Sequence, residues 1–113
     1  MQDKASATEM SPRELKDRLD AGQKIAVLDV REPHELAICS LNNTFHIPMG
    51  MLPLRLAELD SYKDYDIVVY CRSGKRSQRA AQFLRENGFT RVANLRGGIL
   101  AWADEVDPSL PRY

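Results

Sequence analysis

The unbroken apolar run Ile67-Val68-Val69-Tyr70 passes directly into Cys71-Arg72-Ser73-Gly74-Lys75-Arg76-Ser77, and a helical pattern follows at once. Four apolar residues with no polar alternation describe a strand covered on both faces, which is the signature of the middle of a parallel sheet. Parallel neighbours need crossover connections, so helices must lie between the strands. The rest of the chain supplies them. Ser11-Pro12-Arg13-Glu14 reads as a helix start, with a capping hydroxyl, Pro at the first turn, a Glu able to reach back, and Met10 and Leu15 spaced as a hydrophobic staple. Gly22 ends that helix, and Ile25 to Val30 is a short apolar strand that turns away at Arg31-Glu32-Pro33. Thr44 to Ile47 reads as a strand stopped by Pro48, Pro53 to Leu59 as a helix, Ser77 to Asn87 as an amphipathic helix ended by Gly88, and Val92 to Leu95 as another strand. Gly97-Gly98 opens a last helix that holds Ile99 and Trp102 as core residues. Alternating strands and helices predict one α/β domain over residues 8–113, a short parallel sheet flanked by helices on both faces, with its site at the carboxyl ends of the strands. Residues 1–7 are small and polar and read as a disordered tail or the remnant of a linker.

Charge excludes several classes of partner. Lys plus Arg and Asp plus Glu each number 16, so no net field favours nucleic acid or an anionic membrane. No apolar run approaches the length of about 20 residues that a spanning helix needs, and nothing reads as a signal peptide. The two cysteines, Cys39 and Cys71, lack the density of a disulfide scaffold and the spacing of a metal pair. A reducing, cytoplasmic setting is expected. His34 and His46 have no further ligand at metal spacing, so no metal or other cofactor is expected, and His46 reads as a strand residue.

The chemistry concentrates at Cys71. A cysteine at the end of a strand, before a helix N-terminus, meets unpaired N–H groups and the positive end of the helix dipole, both of which favour the thiolate. Arg72, Lys75 and Arg76 place three cations close in sequence, and Gly74 permits the positive φ that a closed anion-binding loop needs. A buried, inert cysteine is the competing reading, and the basic loop argues against it. Cys39, between Ile38 and Ser40, has no such cations and reads as structural. It would resolve a persulfide on Cys71 only if their Cα atoms came within about 7 Å.

Taken together, Asp29-Val30-Arg31-Glu32, Ile47-Pro48, the Cys71 to Arg76 loop and Gly97-Gly98-Ile99-Leu100-Ala101-Trp102 resemble the rhodanese-like sulfurtransferases over about residues 8 to 107. The resemblance implies that Cys71 is the nucleophile that becomes a persulfide. It also implies that Arg72, Ser73, Gly74, Lys75, Arg76 and Ser77 form the substrate-binding loop, and that Asp29 and Arg31 support it, a role that shades into a plain salt bridge tying loops together. The implied donor is thiosulfate or a protein persulfide, and the implied acceptor a thiol, cyanide or a ubiquitin-like sulfur-carrier protein. His34-Glu35 stand where some thiosulfate-using members carry Arg, which argues against strong thiosulfate preference.

The tail from Trp102 to Tyr113, with Arg31 to Glu35 and Ile38-Cys39, looks like the rhodanese domain fused to adenylyltransferase-sulfurtransferases of molybdopterin or thiamine synthesis. That likeness implies a place in molybdenum cofactor biosynthesis. Two alternatives stand beside it. Phosphatases and arsenate reductases on this fold resemble Cys-(x)5-Arg, whereas here the seventh position is Ser77 and the arginine falls one place earlier at Arg76. A non-catalytic binding module of the same family would be expected to lose the cysteine or the basic loop, and both are intact.

Overall fold

The computed structural model describes residues 8–113, so the expectation of a tail or linker at residues 1–7 lies outside the described residues. Five strands form one parallel sheet: β1 (Glu9–Met10), β2 (Ile25–Asp29), β3 (Phe45–His46), β4 (Asp66–Tyr70) and β5 (Val92–Leu95). Their order across the sheet is β1-β5-β4-β2-β3. The helices are α1 (Pro12–Asp20), α2 (Pro33–Leu36), α3 (Leu52–Arg55), α4 (Lys75–Glu86) and α5 (Gly98–Glu105). The chain leaves β2 towards β3 and leaves β4 towards β5, on opposite sides, although β2 and β4 are paired neighbours. Their carboxyl ends therefore flank the crevice where an open α/β sheet places its site.

Side chains alternate across the sheet and divide the core in two. Ala26, Leu28, Ile67, Val69, Cys71 and Val92 pack with Ala80, Ala81 and Leu84 of α4 and with Ile47, Leu52, Leu59 and Phe89. Val27, Val68, Tyr70, Ala93 and Leu95 pack on the other face with Leu15 of α1, Ile99 and Trp102 of α5, and Cys39. Cys39 and Cys71 thus belong to clusters on opposite faces, and both are free thiols.

Local structure departs from the sequence reading in several places, and residues 33–36, read as a turn, form the single-turn helix α2. The two-residue edge strand β1 pairs with β5 and carries too few residues to show a period. The helix expected over Pro53–Leu59 is one α-turn, α3, followed by a 3-10 segment Leu56–Tyr62. Helix α4 starts at Lys75, ahead of the expected Ser77, because Gly74 takes a φ of 104° and turns the chain straight into the helix. Finally, Ser11 caps the Glu14 N–H at 3.1 Å, but the Glu14 carboxylate turns forward to Arg18 at 2.7 Å instead of back to the cap.

Helix α5 braces the loop after β4. Its first N–H groups, from Ile99 and Leu100, donate to the carbonyls of Cys71 and Arg72 at 2.9 and 3.1 Å. Such close approach needs a residue without a side chain: a Cβ on Gly98 would lie 2.4 Å from the Arg72 oxygen and 2.6 Å from that of Cys71. Because the obstacle is backbone, Gly98→Ala is expected to lower stability by about 1–3 kcal/mol in urea unfolding, and more if the loop is displaced. It should also change the reactivity of Cys71 towards alkylating reagents.

Candidate active site

The sulfur of Cys71 is buried, with 1 % of the residue exposed, and it is ringed by donors. The Gly74 N–H lies 3.1 Å from Sγ, the Ser77 N–H 3.4 Å and the Ser77 hydroxyl 3.3 Å. All come from the turn that ends β4 and from the first turn of α4, whose dipole points its positive end at the same atom. Burial works against the thiolate. The Ser77 hydroxyl and the N–H groups of Ser77, Gly74 and Ser73 outweigh it, so the thiol lies below its ordinary value.

The three cations are placed differently from the sequence reading. Arg72 is exposed and donates through Nε to the main-chain oxygen of Tyr113 at 2.6 Å, with its guanidinium 5.3 Å from the centre of that residue's ring. Arg76 makes a bidentate ion pair with Glu35 at 2.7 and 2.9 Å. Lys75 is exposed and has no ion pair among the described residues. The cradle around the sulfur is therefore built from N–H and O–H donors, and the side chains of two of the three cations are spent on partners in other segments.

Asp29 and Arg31 form a fully buried pair with a contact of 2.8 Å, and β2 places Asp29 in register with Tyr70, the residue before Cys71. Arg31 also donates to the Cys39 carbonyl at 2.8 Å and to the Tyr113 hydroxyl at 2.8 Å. Tyr113 passes the connection on, donating to Glu35 at 2.8 Å. A chain of charged hydrogen bonds thus runs Asp29–Arg31–Tyr113–Glu35–Arg76 and ends on the loop. Among the described residues the hydrogen bonds to the Cys71 sulfur come from Gly74 and Ser77, not from Asp29 or Arg31. His46 bonds the Arg31 carbonyl at 2.7 Å, while Cys39 donates to the Pro111 carbonyl at 3.4 Å.

The sequence reading missed three residues that complete this region: Glu35, Tyr113 and Asn94. Glu35 and Tyr113 reach the loop from distant parts of the chain, and only an acidic residue and a phenol without other explanation could have pointed to them. Asn94 is a polar residue inside the apolar strand Val92–Leu95, a visible anomaly that periodicity alone does not interpret. Among the described residues no cluster of three or more His, Cys, Asp or Glu is arranged to hold a metal ion. No helix there is long and apolar enough to cross a membrane.

The profile of the rhodanese-like domain matches residues 11–105. The chain belongs to the rhodanese-like family. A sulfurtransferase of Allochromatium vinosum is 41% identical over 95 residues, covering 84% of this chain and 87% of that protein. An adenylyltransferase and sulfurtransferase of Zea mays is 42% identical over 106 residues, covering 89% of this chain but only 23% of that larger protein. The crystal structure of a rhodanese-related protein from Thermoplasma volcanium superposes with a TM-score of 0.77 at 33% identity, covering 87% of this chain and 92% of that one.

The Arg76–Glu35 pair has a pH signature. The hydrogen bonds from Arg76 lead, burial opposes them, and the Glu32 N–H and Tyr113 add to them, holding the Glu35 carboxyl down at about 2 from 4.5. A depressed carboxyl adds stability above its unfolded value and loses it as pH falls through the folded one. Glu35→Gln should therefore cost on the order of 1–2 kcal/mol at neutral pH, the half-exposed Arg76 screening the rest. The gap to the parent protein should close between pH 4.5 and 2 in unfolding titrations.

Proposed function

We propose that this chain is a sulfurtransferase in which Cys71 carries the transferred sulfur as a persulfide. The observation that carries the reading is the buried Cys71 sulfur, facing N–H and O–H donors from Gly74 and Ser77, in a chain whose relatives are named sulfurtransferases. The thiolate attacks the outer sulfur of a donor persulfide; a sulfur–sulfur bond forms to Cys71, and the donor's own sulfur leaves with the electron pair and takes up a proton. The outer sulfur then passes to an acceptor thiolate or cyanide, and the pair from the broken bond returns to Cys71. A protein persulfide is the favoured donor over thiosulfate, because Arg72 and Arg76, which would grip a free dianion, are engaged by Tyr113 and Glu35.

The position of Ser77 weighs against a phosphatase or arsenate reductase. In the Cys-(x)5-Arg pattern that place holds the arginine that grips a tetrahedral anion, and here it holds a hydroxyl turned to the sulfur. A non-catalytic module has no use for a thiol held low and supplied with donors.

The acceptor we favour is the C-terminus of a ubiquitin-like sulfur-carrier protein in molybdenum cofactor biosynthesis, with this chain acting as one domain of an adenylyltransferase-sulfurtransferase. The support is the likeness to the Zea mays protein, of which the chain spans about a quarter. The persulfide's outer sulfur would displace AMP from the adenylated carboxyl, and a second thiol attacking Cys71 Sγ would release the thiocarboxylate. Tethering both reactions in one protein raises effective concentration without new contacts.

Cys71→Ser should abolish sulfur transfer to cyanide and to thiols, whereas Cys39→Ser should retain most of it. Intact-protein mass spectrometry after exposure to a persulfide donor should show one added sulfur, at Cys71 alone and removable by cyanide. Equal loss in both variants, or turnover of aryl phosphates by the parent chain, would overturn the assignment. Mixing the persulfide form with an adenylated carrier protein and a thiol reductant should yield thiocarboxylate; transfer to cyanide without it would leave a general sulfurtransferase.

A further inference from the structure

A buried polar side chain on the inner strand β5 touches the loop twice. Asn94 of β5 is 4 % exposed and in register with Val69, on the face that carries Cys71. Its orientation follows from its neighbours. The amide nitrogen donates to the Glu9 carboxylate at 3.1 Å and to the Gly74 carbonyl at 3.1 Å, both of which only accept. The amide oxygen must therefore face Ser77, whose hydroxyl lies 2.5 Å away. Ser77 also lies 3.3 Å from the Cys71 sulfur. A hydroxyl has one hydrogen, and here two acceptors face it.

We propose that Asn94 is a positioning residue that takes the Ser77 hydrogen whenever the Cys71 sulfur is uncharged and yields it when that sulfur becomes anionic. With a neutral thiol, the S–H donates to Ser77 Oγ and Ser77 donates to Asn94. When the sulfur ionises it becomes a second acceptor, and the hydroxyl rotates onto it, leaving the buried Asn94 oxygen without its donor. Asn94 thus opposes full stabilisation of the thiolate, and a less stabilised thiolate is the stronger nucleophile.

The consequence for turnover rests on the persulfide reading. In the persulfide the charge sits on the outer sulfur and Sγ is neutral, so the Ser77 hydrogen belongs to Asn94. When an acceptor thiolate attacks the outer sulfur, that sulfur's bond to Cys71 breaks and the electron pair moves to Sγ. The Ser77 hydroxyl then turns to Sγ as it leaves. No proton is transferred; one hydrogen bond changes partner with the charge. Of the other charged groups near the sulfur, Arg72 is tied to Tyr113 and Lys75 is exposed. Arg76 of α4, paired to Glu35, favours the sulfur's charge, and Glu9 of β1 accepts from Asn94. The end of β2 presents the Asp29–Arg31 pair, and the first turn of α5 presents N–H groups alone.

The test is a double-mutant cycle read by the pH dependence of Cys71 alkylation in the full chain. Asn94→Ala should shift the midpoint downward by about half to one pH unit more with Ser77 present than in a Ser77→Ala background. Comparing the two backgrounds removes whatever the lost Gly74 contact contributes. An equal shift in both, or a smaller downward shift with Ser77 present, would overturn the proposal. A second measurement needs no substitution: the side-chain carbonyl carbon of Asn94 should titrate with the Cys71 thiol in NMR spectra, and a flat response across that titration would overturn it as well. Neither readout requires sulfur transfer. Persulfide formation without these effects sinks only the Asn94 proposal, and these effects without persulfide formation sink only the sulfurtransferase reading.

Discussion

A charged sulfur buried among apolar side chains is unfavourable unless donors converge on it, and much of the upper half of this molecule serves that need. Strand β4 carries Cys71 to the sheet's rim, and the left-handed Gly74 turns the chain so that its own N–H and that of Ser77 point back at Sγ. Helix α4 begins there, adding its dipole. The carbonyls of Cys71 and Arg72 would be left without partners by so tight a turn, and α5 supplies them with the N–H groups of Ile99 and Leu100. Gly98 is required by that arrangement because nothing larger fits against the loop's backbone. The thiol loop and the start of the last helix therefore stand or fall as one unit.

A second layer connects the loop to the rest of the domain through charge. Asp29 and Arg31 are both fully buried, and a buried arginine persists only where its donors are satisfied. Asp29, the Cys39 carbonyl and the Tyr113 hydroxyl meet that demand. Burial opposes the Arg31 charge, yet its bonds to Asp29 and Tyr113 raise its pKa well above the ordinary value, so it is a permanent cation. Tyr113 and Glu35 carry the connection to Arg76, which fixes the first turn of α4 from outside while Asn94 fixes it from within. The arginines near the cysteine hold the rim in place more than they solvate the sulfur.

The parts of this arrangement that depend on neighbours in sequence were legible in advance. The apolar run of β4, the cysteine at its end, Gly74 and the Gly97-Gly98 helix start all follow from local patterning. What was not legible comes from long-range pairing. Three cations beside a cysteine suggest a cationic cradle, but Glu35 lies 41 residues from Arg76 and claims it, and Tyr113 lies 41 from Arg72. β1 is two residues long, and its register with Asn94 exists only once β5 is in place. Asn94 itself interrupted an apolar strand, and its role follows only from the three partners that the fold brings to it.

Backbone and hydroxyl donors, not the charges of Arg72 and Lys75, hold the Cys71 thiol low. The most direct test is the pH midpoint of Cys71 alkylation in the parent chain and in a variant carrying both Arg72→Gln and Lys75→Gln. A midpoint below about 8.5 that stays within a few tenths of a unit in the variant is the predicted result. A parent midpoint at or above the ordinary thiol value, or one that climbs to it once the two charges are gone, would contradict the account.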